Sequence, residues 1–334
     1  MVEVSKKSAS TIRMIVQWFF LFWVVGIGLR FGMFINSVES GATTPLISRP
    51  PGVEGFLPIG ALTSFKYWLV SGEIHPVHPA ALIIFLTILL MSLLAKKSFC
   101  SWLCPVGTLS EVAHKLGQRL FGRNFRIWSG LDIFIRGIKY LLLLLFAKFI
   151  LFDMSSEALR GFLDAPYWAV SDVKMLHFFT SMSVTTMVVL ACLTFLSLFY
   201  KMFWCRYLCP YGALLGLASL FGPFKIRRNA IDCTGCQRCS AACPSALAVH
   251  TCSEISSPEC TGCLTCVAHC LEQNVLAMQP PLWKRPLPVW VFPATVVGIF
   301  MVGIGAGMVS GNWHSSLSYS DYQRLIPLVP YLSH

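Results

Sequence analysis

At 334 residues, with 55% apolar and only 12% charged side chains, this chain falls outside the composition of an ordinary water-soluble domain and uses lipid as part of its solvent. Its formal charge of +11 comes from 26 Lys and Arg against 15 Asp and Glu. Those cations fall in blocks between apolar runs, with no basic and aromatic recognition pattern, which sets nucleic-acid binding aside.

The first apolar run, about 14–36, follows Lys6, Lys7 and Arg13 in the manner of a secretory leader. No small-residue cleavage site follows it, and Trp18, Phe19, Phe20, Phe22 and Trp23 read as an anchored span. Four further runs, about 78–95, 131–152, 178–200 and 287–309, approach the roughly 20 residues that cross a hydrocarbon core. The spacing predicts an α-helical integral membrane protein of about five transmembrane helices. Lys96, Lys97, Lys115, Arg119, Arg123 and Arg126 follow the second run, and Lys201, Arg206, Lys225, Arg227, Arg228, Arg238, Lys284 and Arg285 follow the fourth. Positive residues favour the cytoplasmic side. The N-terminal arm and these two blocks are therefore expected inside, and the C-terminus outside, the periplasm if the host is a bacterium.

Segment 41–77 is rich in Pro and Gly and leads to His75-Pro76-Val77-His78 at the start of the second run. Two histidines three apart at a membrane boundary suit a quinone headgroup, a proton path or a metal, against simple capping of the span. Arg30, near the outer end of the first run, is a candidate to face a quinone pocket or Glu54.

The chain also repeats itself. The second run ends in Lys96-Lys97-Ser98-Phe99-Cys100-Ser101-Trp102-Leu103-Cys104-Pro105-Val106-Gly107, and the fourth in Lys201-Met202-Phe203-Trp204-Cys205-Arg206-Tyr207-Leu208-Cys209-Pro210-Tyr211-Gly212. Aligned without a gap, the copies share Cys-x3-Cys-Pro and a Gly, which marks 78–121 and 178–221 as duplicated units of span, paired-cysteine turn and interfacial helix. Two cysteines four apart on a helical turn share one side of it. Cys100, Cys104, Cys205 and Cys209 are then candidates for a shared third site, either iron–sulfur or mononuclear metal; redox-active thiols and plain packing are the other readings.

Two cysteine runs follow, Cys233-Thr234-Gly235-Cys236-Gln237-Arg238-Cys239-Ser240-Ala241-Ala242-Cys243-Pro244 and Cys260-Thr261-Gly262-Cys263-Leu264-Thr265-Cys266-Val267-Ala268-His269-Cys270. Each is C-x2-C-x2-C-x3-C, which sends three thiolates to one 4Fe-4S cluster and the fourth to its neighbour. By that crossing, cluster one takes Cys233, Cys236, Cys239 and Cys270, and cluster two takes Cys260, Cys263, Cys266 and Cys243. Zinc needs only four of these cysteines per site, and disulfides need an oxidising compartment, so both fit less well. Cys192 and Cys252 read as a buried small hydrophobe or bystanders, and His269, beside a ligand, as solvated decoration or a tuner of the cluster.

The resulting organisation is a membrane core over 1–225, a two-cluster α+β ferredoxin-like domain over 226–280, a last span over 281–310 and an outer-face tail over 311–334. That tail, with Trp313, Tyr319 and Tyr322, is expected to dock an outer-face subunit or to stay disordered. No Rossmann glycine fingerprint, P-loop or Cys-x-x-Cys-His motif occurs, so no nucleotide or covalent haem site is expected.

Two Cys-x3-Cys-Pro motifs at the ends of spans, two ferredoxin motifs and a last span together resemble the NapH-type membrane ferredoxins of periplasmic nitrate reductase systems, across about 78–310. Related cores occur in NosR-type regulators and the CcoG-type oxidase assembly factor, whose additional outer domains have no room here, and Leu271 stands where a proline is expected after Cys270. The resemblance implies an electron-transfer subunit of a quinol-linked oxidoreductase complex. It implies 4Fe-4S clusters, quinone as substrate and respiratory redox partners, and the outer-face subunit expected at the tail would be a cytochrome or iron–sulfur protein. A metal-reducing assembly factor and a redox-sensing regulatory ferredoxin are the alternatives.

Overall fold

The computed structural model describes residues 2–44, 46–122, 125, 127–272, 275–280, 288 and 290–332. Of the cations that orient the sequence, Arg123, Arg126, Lys284 and Arg285 lie outside these. Helices dominate, and Val2–Glu39, Pro79–Ala95, Ser129–Ala147, Val184–Phe199 and Val291–Val309 fall on the five apolar runs. Ala9–Glu39 and Val291–Val309 are each long and apolar enough to cross a membrane, with mean hydropathy 1.9. Pro79–Ala95 has 17 residues, which at 1.5 Å per residue is about 26 Å. The 178–200 run, expected as one span, is broken: Ser171–Thr180 and Val184–Phe199 meet at 74°. Ser183 makes the break, because its Oγ accepts the Thr186 amide at 3.2 Å and starts a new helix. Large apolar side chains such as Phe22, Trp23, Leu29, Leu141 and Val302 are exposed along these helices. Cys192 lies exposed among them rather than buried.

Residues 1–21, 88–143 and 190–301 form one compact unit, and residues 22–87, 144–189 and 302–334 a second. In the first, β1 (Lys225–Arg228), β2 (Glu254–Ile255) and β3 (Leu276–Gln279) form an antiparallel sheet in the order β2-β1-β3, with Ile226 opposite both Ile255 and Met278. Ile226, Cys239, Cys243, Cys260, Leu264 and Cys266 share one core with Met91, Ala95, Trp102, Phe292 and Val296. The cysteine runs are therefore packed into the ends of the helices. Close backbone approach tightens this unit: a Cβ at Gly117 would lie 1.8 Å from the Leu198 carbonyl oxygen, and one at Gly216 would lie 2.7 Å from that of Pro258.

In the second unit Phe31, Phe34, Ile35, Val53, Val170, Val173, Tyr322, Ile326 and Val329 make the core. The tail expected as a docking arm or disordered end is part of it. Ser318 and Asp321 form a capping box that starts helix Tyr319–Leu325, and Tyr319 donates to the carbonyls of Ser37 and Ala42 at 2.9 and 3.0 Å. A buried ion network sits beside this core. Arg49 bonds Glu54 at 2.8 Å and Asp172 through Nε and Nη2 at 2.9 and 2.8 Å, and Tyr322 donates to the same Asp172 oxygen at 2.9 Å. Glu54 and Asp172 are fully buried, and removing one partner of such a network leaves an uncompensated charge at a cost of about 3–5 kcal/mol. Arg49→Met is accordingly expected to lower the thermal unfolding midpoint of the detergent-solubilised protein markedly, and Arg30→Met to leave it in place. Equal midpoints for the two variants would remove the network as a clamp of this unit.

Candidate iron–sulfur sites

The eight cysteines of the two runs gather around two separate cavities. One is lined by Cys243, Cys260, Cys263 and Cys266 together with Ile226, Leu247 and Ile255. The other is lined by Cys233, Cys236, Cys239 and Cys270 together with Arg228, His250 and Glu272. Each cavity thus takes three cysteines from one run and the fourth from the other. The fourth cysteine of each run changes sides because a helical turn, Arg238–Ala242 or Thr265–Ala268, separates it from the first three.

Both loops use one backbone device. Gly235 and Gly262 have φ +70° and +61°, and the residues after the second cysteines, Gln237 and Leu264, both have φ 58°. A non-glycine residue in this left-handed region costs roughly 1–2 kcal/mol, and its repetition in both loops shows the geometry is required. It turns amides toward sulfur: the Gly235 amide and the Arg228 side chain hold the Cys233 thiol below its usual range. In the other cavity, burial pushes the Cys243 thiol up to about 12, with Cys263 adding to the rise, and pushes Cys266 well above its ordinary value. The four-thiol donor set and the converging amides fit an iron–sulfur cube in each cavity. The cavities differ in access, since Cys243, Cys260 and Cys266 are buried whereas Cys236 is exposed.

The four cysteines of the duplicated units also come together, since Cys104 lies within electrostatic reach of Cys100, Cys205 and Cys209. Their local geometry differs from the single helical turn read from the spacing. Cys104 and Cys209 are extended, with φ −70° and −77°, and each precedes a proline at the first position of the next helix. Proline disfavours helical backbone in the residue before it, so each pair straddles a turn instead of sharing a helix face. The Gly212 amide donates to Cys209 Sγ at 3.2 Å, and the Gly107 amide reaches Cys104 in the same way. At Cys104 burial outweighs this amide and pushes the thiol well above its ordinary value. Glycine is needed at 107 because a Cβ there would lie 2.1 Å from the Cys100 carbonyl oxygen. Burial pushes the Cys100 thiol up to about 11 and Cys205 to about 12. Among the described residues, no group of three or more His, Cys, Asp and Glu is gathered as for a single metal ion.

The turn between Cys100 and Cys104 is bonded to the second ferredoxin loop. Ser101 Oγ donates to the Thr261 carbonyl at 2.7 Å, and Trp102 Nε1 to that of Gly262 at 3.2 Å. Glu259, next to Cys260, takes Lys139 Nζ at 2.6 Å and the Tyr140 hydroxyl at 2.8 Å. The four-cysteine site and the buried cavity are thereby held on one piece of backbone scaffolding.

His75 and His78 enter separate networks. His78 Nε2 donates to the Trp168 carbonyl at 2.9 Å, and its Nδ1 faces Arg49 Nη2 at 3.2 Å. Both ring nitrogens are thus engaged within the ion network. His75 Nε2 meets Asp164 at 3.1 Å, while its buried Nδ1 has no partner. Arg30 is exposed, and Arg49 is the cation that reaches Glu54. His269 is exposed and bonded to the Thr265 carbonyl, whereas His250, bonded to Ser240 at 2.8 Å, lines a cavity. His250 sits between the runs in sequence, with no ligand beside it to mark it. Cys252 is exposed and lines neither cavity.

Comparison with known proteins agrees with this geometry. The duplicated units match a family described as a 4Fe-4S binding domain over residues 77–124 and 182–229, and the cysteine runs match a 4Fe-4S dicluster domain over 225–271. YccM of Escherichia coli (strain K12), named for electron transport, is 42% identical over 333 residues, 98% of this chain and 93% of the relative. The regulatory protein NosR of Pseudomonas aeruginosa is 30% identical over 48% of this chain and 22% of its own length. The methylamine utilization ferredoxin-type protein MauN of Paracoccus denitrificans is 28% identical over 54% of this chain and 58% of its own. No solved structure matches.

Proposed function

The chain belongs to the family of YccM, within a wider group of ferredoxin-type proteins built on 4Fe-4S domains, and from that premise we propose that it is a membrane electron carrier linking the quinone pool to partner subunits of a respiratory complex. The observation that carries this reading is the gathering of all twelve motif cysteines in one unit, as two four-cysteine cavities and a third four-cysteine cluster from the duplicated turns. In the proposed assignment, Cys233, Cys236, Cys239 and Cys270 hold the exposed cluster. Cys243, Cys260, Cys263 and Cys266 hold the buried one, and Cys100, Cys104, Cys205 and Cys209 hold a third. Bound there, iron–sulfur centres supply one-electron storage.

The residues of the chain do the rest. Ser101 and Trp102 fix the separation of the third site from the buried cavity, Ile226 and Ile255 keep water from the latter, and exposed Cys236 opens the outermost site to a partner. Five crossings, with the bent pair counted as one, cytoplasmic clusters and a periplasmic C-terminus follow the positive-inside pattern. Helix Pro105–Phe121 supports an interfacial placement, since it exposes Leu109, Val112, Leu116 and Leu120 along one face. A NapH-like subunit is the finer reading that this size and motif order support.

The test is an anaerobic titration of the purified protein with quinol analogues, followed by EPR together with iron and acid-labile sulfide counts. Reduction by a quinol and reoxidation by the quinone are expected. Copper or iron reduction that needs no quinol would replace this reading with metal handling, and cluster changes without turnover would replace it with sensing.

A further inference from the structure

Three lysine ammoniums lie near the sulfur sites of the first unit, and two are accounted for. Lys139 is paired with Glu259 at 2.6 Å, and Lys96 Nζ donates to the Ile255 carbonyl at 3.3 Å. Lys97 is 3% exposed; among the described residues its ammonium makes no ion pair of its own, and it lies within electrostatic reach of the Glu259 carboxylate that Lys139 holds. One shared carboxylate leaves room for further negative charge beside so buried a cation.

The location of Lys97 indicates where that charge comes from. The point a Gly212 Cβ would occupy is 3.4 Å from Lys97 Nζ and 3.5 Å from Cys209 Sγ, so the ammonium sits beside the third site. On its other flank the same turn is bonded to strand β2 through Lys96 and to the second ferredoxin loop through Ser101 and Trp102. Lys97 is within electrostatic reach of Cys100 and Cys205 on one side and of Cys260 on the other. The duplication supplies a contrast, because the aligned position in the second copy is buried Met202. The cation is present in one copy only.

The geometry points to Lys97 as a counter-charge shared by two redox centres, the one at Cys100, Cys104, Cys205 and Cys209 and the one at Cys243, Cys260, Cys263 and Cys266, and hence as the residue that sets their reduction potentials together. The inference rests on the proposed third iron–sulfur centre. Each one-electron reduction adds a negative charge, and an ammonium held in a low-dielectric interior favours that state at both centres. Lys97 is a positioning residue in this scheme, since it supplies charge without holding iron.

The test compares unsubstituted full-length protein with Lys97→Gln and Lys97→Arg, all in detergent, by iron and sulfide counts and EPR-monitored redox titration. Lys97→Gln is expected to lower the midpoints of both centres by about tenfold in the oxidised-to-reduced ratio, or about 59 mV for a one-electron couple. The exposed cluster should keep its midpoint, and Lys97→Arg should restore the other two. Unmoved midpoints in Lys97→Gln, a shift at only one centre, or an equal shift in Lys97→Arg would overturn the shared role. Loss of the third centre's iron in Lys97→Gln but not in Lys97→Arg upholds the need for charge, and loss in both overturns it. An unsubstituted protein carrying iron for two clusters only would instead remove the underlying reading, and the shared role with it.

Discussion

Cys243→Ser is expected to remove the buried cluster and leave the exposed one, and Cys270→Ser is expected to do the reverse. The reasoning is geometric. Cys243 lies in the first cysteine run but lines the cavity of the second, and Cys270 lies in the second run but lines the cavity of the first. A serine hydroxyl is far less acidic than a thiol and a poor match for iron held otherwise by thiolates. Each substitution should therefore lower the iron content by one cluster and erase one EPR signal. The buried-cavity variant should also unfold more readily, because Cys243 and Cys266 share a core with Ile226, Met91 and Phe292. If Cys243→Ser instead erased the signal of the exposed cluster, the crossed assignment would be wrong and each run would hold its own cluster.

The second large effect is expected from Cys104→Ser combined with Cys209→Ser. These are the two cysteines at helix N-termini, one from each duplicated unit, and each receives the amide of the glycine three residues on. Their loss should abolish the third centre while the ferredoxin clusters keep their iron and their spectra. Reduction by a quinol should cease, while dithionite, acting directly on exposed sites, should still reduce the remaining clusters. Iron content and quinol-driven reduction that both survive the double substitution would mean that these four thiols hold no cofactor.

Much of this arrangement was legible before folding was considered, because cysteine spacing is a local property. In C-x2-C-x2-C-x3-C, the loop length sets which sulfurs meet at one point, and the cavities of the structure follow it. The Cys-x3-Cys-Pro motif misled where a non-local rule was applied too simply. Helical periodicity put Cys100 and Cys104 on one face, but Pro105 forces Cys104 into extended backbone, as Pro210 does Cys209. The break at Ser181-Met182-Ser183 was hidden by the apolar residues on both sides of it, since hydropathy averages over a window and does not register one capping hydroxyl. The tail misled for the opposite reason. Its polar and aromatic composition suits an exposed arm, but Tyr322 is buried, Tyr319 is half-buried, and they spend their hydroxyls on Asp172 and on Ser37 and Ala42.

Spacing and composition alone marked an apolar, largely helical chain with two C-x2-C-x2-C-x3-C runs and four further cysteines in a duplicated frame. Tertiary structure alone decided which polar and charged groups meet. Arg49 rather than Arg30 meets Glu54, His250 rather than His269 lines a cavity, and Lys97 comes beside Cys209 of the second copy. Ligand spacing is encoded by neighbours along the chain. Approaches such as Lys97 to Cys209 and Ser101 to Thr261 join residues more than a hundred positions apart, brought together when the helix ends and the cysteine loops bury a common core.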